Sequence, residues 1–464
     1  LSAAGKGLRR RQALGADLRR IAPLAWPVFV GQVAVLAFST VDTVLVARHA
    51  AVDLAALAIG AAVYITVFIG FMGVVLALGP IAGQLYGAGK LPEAGRQVHQ
   101  AVWVALAMAV LGSLLLAFPA PFLALAQAGP EVEAKVRGYL GGLALALPAG
   151  LLFTVYRGFN TAVSRPKAVM VLQLGGLALK VPLTLALVAG VPALGLPALG
   201  VVGCGIATAA AMWLQVALGW WVMRRDPFYK PFRLHGRGLD RPARADLLQF
   251  LRLGVPMGAS ILVEVAGFSA MALFIARLGT TAVGGHQIAM NLVSLLFMLP
   301  LAIGNATATL VAQRVGAGDE PDAARLARHG VVLGLAASAL LGSAVYLGRE
   351  GVLGLYTRDA EVLAAALPLV AWVVLFHAAD AVQVVAAFVL RAYKIATVPL
   401  LIYVAALWGV GLGGGTLLAF DLTGHAPQAL QGAPGYWFAA TAGLVAAGLG
   451  LALFLQWVLR RRGV

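Results

Sequence analysis

Of the eighteen acidic residues in the chain, three (Asp42, Glu264 and Asp380) fall well inside long apolar stretches. If those stretches cross a bilayer, each carboxylate at a helix centre costs roughly 2.5–3.5 kcal/mol to insert. That cost is borne only where the group faces a watery cavity, a charged partner or a bound cation. A purely decorative role is excluded. Two carboxylates on one cavity would hold a proton between them, or supply oxygen ligands to a hard cation such as sodium.

Depth separates the three acids. At the rise of an α-helix, Glu264 lies about 20 Å of helix from Arg277, and Asp380 about 16 Å from Arg391. The two basic markers stand at opposite ends of their stretches, so both acids reach mid-membrane depth in the second half of the chain. No Lys or Arg shares that depth there, which favours a cation-coupling pair, with sodium a candidate at Glu264 and Asp380, over a structural salt bridge. His377, one turn before Asp380, either shares its proton or packs as a satisfied ring.

Asp42 lies only about 9 Å of helix from Arg48, nearer the outer face. The same half contains Lys180, in "GGLALKVPLTLA", the single Lys or Arg deep in any stretch. An Asp42–Lys180 pair would be a structural use of both. A lysine that releases its proton as substrate enters is the alternative. Pro27 and Pro256 precede Asp42 and Glu264 and are hinge candidates, because proline removes a helix hydrogen bond and permits a bend.

The elements that must carry these residues follow from composition. The chain of 464 residues is 61% hydrophobic and 11% charged, with mean hydropathy +0.92. Soluble domains carry about 25% charged residues, so this is an integral membrane protein. Twelve apolar runs are long enough to span, near 22–47, 54–86, 98–121, 136–156, 167–189, 198–223, 248–276, 283–312, 329–348, 361–390, 398–420 and 436–459. They are rich in Ala, Leu and Gly without apolar–polar alternation, so helices and not barrel strands are expected.

The net charge of +16 divides unevenly. The termini and even-to-odd loops hold 27 of the 34 Lys and Arg, and the opposite loops hold six. Such a bias orients the chain with both termini in the cytoplasm, and it accounts for the basic character without nucleic acid. The lone Cys204 excludes an intrachain disulfide and reads as a small packed residue. The first apolar run is too long for a signal-peptide core and is read as a retained span. "GAGK" lacks the spacing of a nucleotide-binding loop, so the chain is not by itself an ATP-driven pump.

The chain also repeats itself. "VLVAR" at 44–48 matches "LFIAR" at 273–277, "GAGK" at 87–90 matches "GAGD" at 316–319, and Pro27, Gln84 and Arg96 match Pro256, Gln313 and Arg325. Every pair differs by 229 positions, and "VYRGF" (155–159) echoes "VLRAY" (389–393) later at an offset of 234. The expected organisation is a six-helix lobe at 1–223, a polar cytoplasmic linker at 224–246 and a second six-helix lobe at 247–464. Six is even, so the two bundles enter the bilayer alike and relate by an axis along its normal, as in transporters with a site between bundles.

These residues resemble the multidrug and toxic compound extrusion (MATE) family in its bacterial NorM-like branch. The resemblance is carried by "STVDTVLVAR" (39–48), "GPIAGQLYGAGK" (79–90), "VGCGIATAAAMWLQ" (202–215), "GVPMGASILVEVAGFSAMALFIARLG" (254–279), "GGHQIAMNLVSLLFMLPLAIGNATATLVAQRVGAG" (284–318) and "DAVQVVAAFVLRAYK" (380–394). It implies two lobes around a V-shaped central cavity and a secondary antiporter that exports organic cations and hydrophobic drugs in exchange for sodium or protons. It places Glu264 and Asp380 on the family's second-half cation site and Asp42 on its first-half carboxylate. Phe376 stands where some sodium-coupled relatives have a tyrosine, and supplies no oxygen. Lys180 stands where relatives tend to have a neutral polar residue such as Asn.

A cofactor-free monomer of the plasma (inner) membrane, in contact with lipid, is expected. A lipid-precursor flippase would ask for a basic cavity, and the deep charges are mostly acidic. A membrane-embedded enzyme would need a nucleophile–base pair or metal ligands at one depth, and a channel would need a filter element. Neither set is found.

Overall fold

The computed structural model describes residues 3–126, 129–236 and 238–463. Among them, twelve helices are long and apolar enough to cross a bilayer. They are α1 (Gln12–Ala47), α2 (Ala51–Gly87), α3 (Leu91–Ala117), α4 (Pro130–Ala162), α5 (Pro166–Ala189) and α6 (Gly200–Arg225), then α7 (Arg244–Ala276), α8 (Thr280–Gly316), α9 (Glu320–Leu347), α10 (Val373–Ala392), α11 (Thr397–Ala419) and α12 (Ala433–Arg461). The expected all-α membrane architecture is therefore present. Apolar side chains point outward from it: Leu273, Leu340 and Leu453 are each at least 70% exposed. That is the arrangement for a hydrocarbon solvent, in which helices satisfy their own backbone groups.

Local chemistry sets many helix ends. Proline opens α3, α4, α5 and α12, at positions whose N–H has no helical partner. The Asp319 carboxylate accepts from Asp322 N–H at 3.1 Å and caps the start of α9. The repeat is visible at the ends of α2 and α8. Gly89 and Gly318 both take left-handed backbone angles (φ +72° and +76°), which glycine adopts without strain. The residue after each closes the same long turn, Lys90 N–H to Leu85 O and Asp319 N–H to Arg314 O, both at 2.9 Å.

Two spans depart from a simple helix. The run expected at 361–390 is broken: a short helix, Ala360–Val370, precedes α10, with a turn at residues 371 and 372. Pro368 lies just before the break and cannot donate to the ladder, which weakens the helix there. In α11, residues Val404–Gly413 form a π-helical run.

The chain forms two compact units, one of residues 1–29 and 259–464, the other of residues 30–258. The boundaries fall within α1 and α7, not in the 224–246 linker. They also stand 229 positions apart, two residues after Pro27 and Pro256. Each first helix of a repeat thus passes from one unit to the other at its own proline.

Candidate functional site

In the unit containing residues 259–464, α7 presents Glu264 and α10 presents Asp380. On α10, Phe376, Asp380 and Gln383 stand at i, i+4 and i+7, the spacing of one helix face. Asp380 is buried at 4% exposure, Gln383 is fully buried, and Glu264 is half-buried. The Gln383 side-chain amide joins the two acids. Its Nε2 donates to Asp380 Oδ1 at 2.9 Å and to Glu264 Oε1 at 3.1 Å. Among the described residues, neither carboxylate forms a salt bridge with Lys or Arg. The amide oxygen, Gln383 Oε1, is buried without a hydrogen-bond partner.

A narrow cleft opens beside Glu264, walled by Phe268, Met271, Leu407, Leu412 and Tyr436. Glu264 is the one charged residue in its lining. The π run supplies part of this wall, and it is tied to the Glu264 helix by Trp408 Nε1, which donates to Val263 O at 2.9 Å. π segments are rare in helices and concentrate at functional sites, because the widened turn re-aims its side chains. Phe376 is buried one turn before Asp380, its ring 6.1 Å from that of Phe268 and 5.5 Å from that of Trp437. It forms an aromatic wall and contributes no oxygen. His377 is also fully buried, and neither of its ring nitrogens has a hydrogen-bond partner.

The other unit brings together Asp42 of α1 and Lys180 of α5. Lys180 Nζ donates to Asp42 Oδ2 at 2.6 Å, and the lysine is 2% exposed. Its ammonium lies 4.8 Å from the centre of the Phe38 ring, and the Cys204 thiol of α6 sits beside the Asp42 carboxylate. The amine is thus held by a carboxylate and an aromatic face together. Among the described residues, no three His, Cys, Asp or Glu side chains gather as ligands for one metal ion.

Gln383 is not marked by charge or motif in the sequence. It carries no charge, and only its position three residues after Asp380 marked it. Arg391, the basic marker of this stretch, is itself buried at 8% exposure, with its guanidinium 5.0 Å from the Phe388 ring centre.

Comparison with known proteins identifies the family. The family model MatE matches residues 27–185 and again 256–416, two segments that begin at the repeat-related prolines. A probable multidrug resistance protein NorM from Aromatoleum aromaticum is 40% identical over 439 residues, covering 94% of this chain and 93% of that protein. The chain belongs to the MatE family. The multidrug resistance protein NorM of Vibrio cholerae is 34% identical, with 94% of each chain covered. Among solved structures, the Vibrio cholerae MATE transporter VcmN in its bent form superposes with a TM-score of 0.84 at 19% identity, over 97% of this chain and 98% of that one. That likeness shows a shared fold. Members of this family are transporters and not enzymes, and this chain is accordingly a multi-pass membrane transporter.

Proposed function

We propose that the protein is a secondary antiporter that expels organic cations and hydrophobic drugs in exchange for sodium or protons, with Glu264 and Asp380 as the shared ion site. The observation that carries this reading is the Gln383 amide bridging two deep carboxylates, neither of which, among the described residues, makes a salt bridge to Lys or Arg; the buried Arg391 acts on Glu264 only at longer range. Such a pair is expensive in hydrocarbon unless a cation visits it. The cleft against Glu264 adds the second requirement, an aromatic and apolar wall with a single acid, which suits a flat organic cation. The multidrug resistance names of the relatives point the same way.

In this account, driver and drug compete for the carboxylates or favour opposite-facing states. Inward flow of the driver then resets the outward-facing protein for another substrate, because a ligand shifts a conformational equilibrium only by its differential affinity. Pro27 and Pro256 serve as the hinges, since the chain changes unit two residues beyond each. Asp42 and Lys180 hold each other as a structural pair, which leaves the driver site to the second half. The protein works as a cofactor-free monomer in the inner membrane, with both termini cytoplasmic; the basic bias of the loops supports that orientation.

The test is ethidium or norfloxacin efflux in proteoliposomes, with sodium and pH gradients imposed separately. One of the two gradients drives efflux by the wild type, and Asp380→Asn abolishes it while the protein still inserts and purifies. Gradient-driven efflux by Asp380→Asn at the wild-type rate would refute the reading.

A further inference from the structure

We infer that Gln383 is a positioning residue of the ion site whose amide turns over as the site fills, its NH2 group bridging the carboxylates when the driver is absent and its oxygen serving the ion when it is present. This rests on the reading of Glu264 and Asp380 as the driver site. In the observed geometry both N–H bonds of Gln383 are spent on carboxylates, at 2.9 and 3.1 Å. That arrangement suits two acceptor-only groups, because an ionised carboxylate has no proton to give. Gln383 itself is fully buried, so neither end of its amide can turn to bulk water.

The other end of the amide supplies the independent observation. Gln383 Oε1 is buried with no partner, although a buried acceptor without one costs about 1–3 kcal/mol. A half-turn would carry that oxygen to the acids and leave the NH2 group in its place, so it is favoured only when a proton or cation between the carboxylates attracts the oxygen. The terminal torsion of a glutamine is broad and two-fold, so a half-turn exchanges Nε2 with Oε1 and leaves the rest of the side chain in place. With the oxygen facing the acids, two carboxylates alone would be repelled. A proton on one carboxyl would instead donate to Oε1, and a sodium ion would find three oxygen-bearing side chains, the ligand type a hard cation takes.

Backbone packing fixes the base of this residue, and only the two carboxylates hold its amide. Gly448 of α12 approaches α10 so closely that a β-carbon there would lie 3.2 Å from Ala379 O and 3.6 Å from Gln383 N. The helix turn carrying Asp380 and Gln383 is thereby pressed against α12, while the far end of Gln383 selects between two orientations.

Two substitutions of similar volume separate this role from simple packing. Gln383→Met removes donor and oxygen, and Gln383→Glu keeps oxygens at the same reach but removes the donor. The readout in proteoliposomes is the concentration of the driving ion that gives half-maximal ethidium efflux, sodium or protons as the gradients assign. Gln383→Met raises that concentration tenfold or more, and Gln383→Glu leaves it at or below the wild-type value. A residue that only fills space would move both variants in the same direction, or move the maximal rate alone. An unchanged half-saturation in Gln383→Met, or a raised one in Gln383→Glu, overturns the inference, and either variant decides it if the other fails to fold. Asp380→Asn run beside them separates the levels. If it keeps gradient-driven efflux, the ion-site reading itself falls. If it loses efflux while Gln383→Met behaves as wild type, only the role of Gln383 falls.

Discussion

Asp17 accepts a hydrogen bond from Arg325 Nε at 3.1 Å, and the residues 229 positions away from each, Asp246 and Arg96, form the matching pair at 2.5 Å. The repeat thus exchanges partners: the first helix of each half pairs with the third helix of the other half's sequence. The two pairs differ in their surroundings. Asp17 is fully buried and is also held by Arg20 at 3.2 Å and His329 Nδ1 at 2.7 Å, whereas the Asp246 side chain is 13% exposed and pairs with Arg96; the arginines Arg325 and Arg96 are about equally exposed. Asp17→Asn therefore lowers the thermal unfolding midpoint in detergent more than Asp246→Asn. The first costs about 2 kcal/mol, below the full loss for a buried pair because its arginines are partly solvated, and the second costs under about 1 kcal/mol. Equal losses would show that the two pairs are energetically alike.

Lys180 and Asp42 offer a double-mutant test. Lys180→Met alone leaves a buried carboxylate without its counter-ion, a change that typically costs roughly 3–5 kcal/mol. Combining it with Asp42→Asn removes both charges and restores most of the unfolding midpoint, and the double variant keeps gradient-driven efflux. If the double variant is stable but inactive, the pair belongs to the transport cycle and not to the scaffold.

Phe376 tests the chemistry of the ion site from its apolar side. Phe376→Tyr adds an oxygen one turn before Asp380, at the position where some sodium-coupled relatives carry tyrosine. Where the gradients assign sodium as the driver, it lowers the sodium concentration needed for half-maximal efflux, at some cost in stability if the new hydroxyl finds no partner (about 1–3 kcal/mol). Sodium dependence that is unmoved in a folded variant would place the ion away from this face of α10.

A pH prediction comes from the linker. Asp226 Oδ1 accepts from Phe228 N–H at 2.9 Å, and Arg165 pairs with its other oxygen while lying 4.2 Å from the Phe228 ring centre. The Phe228 N–H first, and Arg165 after it, hold the Asp226 carboxyl below its usual range. A depressed carboxyl contributes stability above its unfolded pKa of about 3.9 and loses it as pH falls through the lower folded value. Hydrogen exchange across residues 226–233, corrected for intrinsic rates, is accordingly unchanged between pH 8 and 5 and rises only below about pH 4. Loss of protection already at pH 6 would assign the docking to other groups.

Much of this architecture is legible in the order of residues, because hydrocarbon imposes one simple demand on length and polarity. Apolar run lengths alone indicate the twelve spans, whereas the polar stretch at 224–246 suggests a division that the structure makes instead within α1 and α7. Charge patterning likewise picks out Glu264 and Asp380, which share an amide, and Asp42 and Lys180, which meet. What hydropathy misses is register and irregularity. The break at residues 371 and 372 and the π run from Val404 to Gly413 lie in segments as apolar as any intact helix. Gln383 escapes for a different reason. A neutral amide raises no alarm in a count of charges, and its importance appears only when two helices place acids on either side of it. The exchange of Asp17 and Asp246 between repeats is a long-range pairing that no local pattern announces.

The most direct test of the ion site is cation release from purified protein on addition of ethidium, followed in weakly buffered solution for protons and with radioactive sodium for sodium. If drug and driver share Glu264 and Asp380, the wild type gives up bound cation as ethidium binds, since linkage makes each ligand weaken the other. Asp380→Asn, still able to bind ethidium, releases none. Ethidium binding to the wild type with no release of either ion, or undiminished release from Asp380→Asn, would contradict the account.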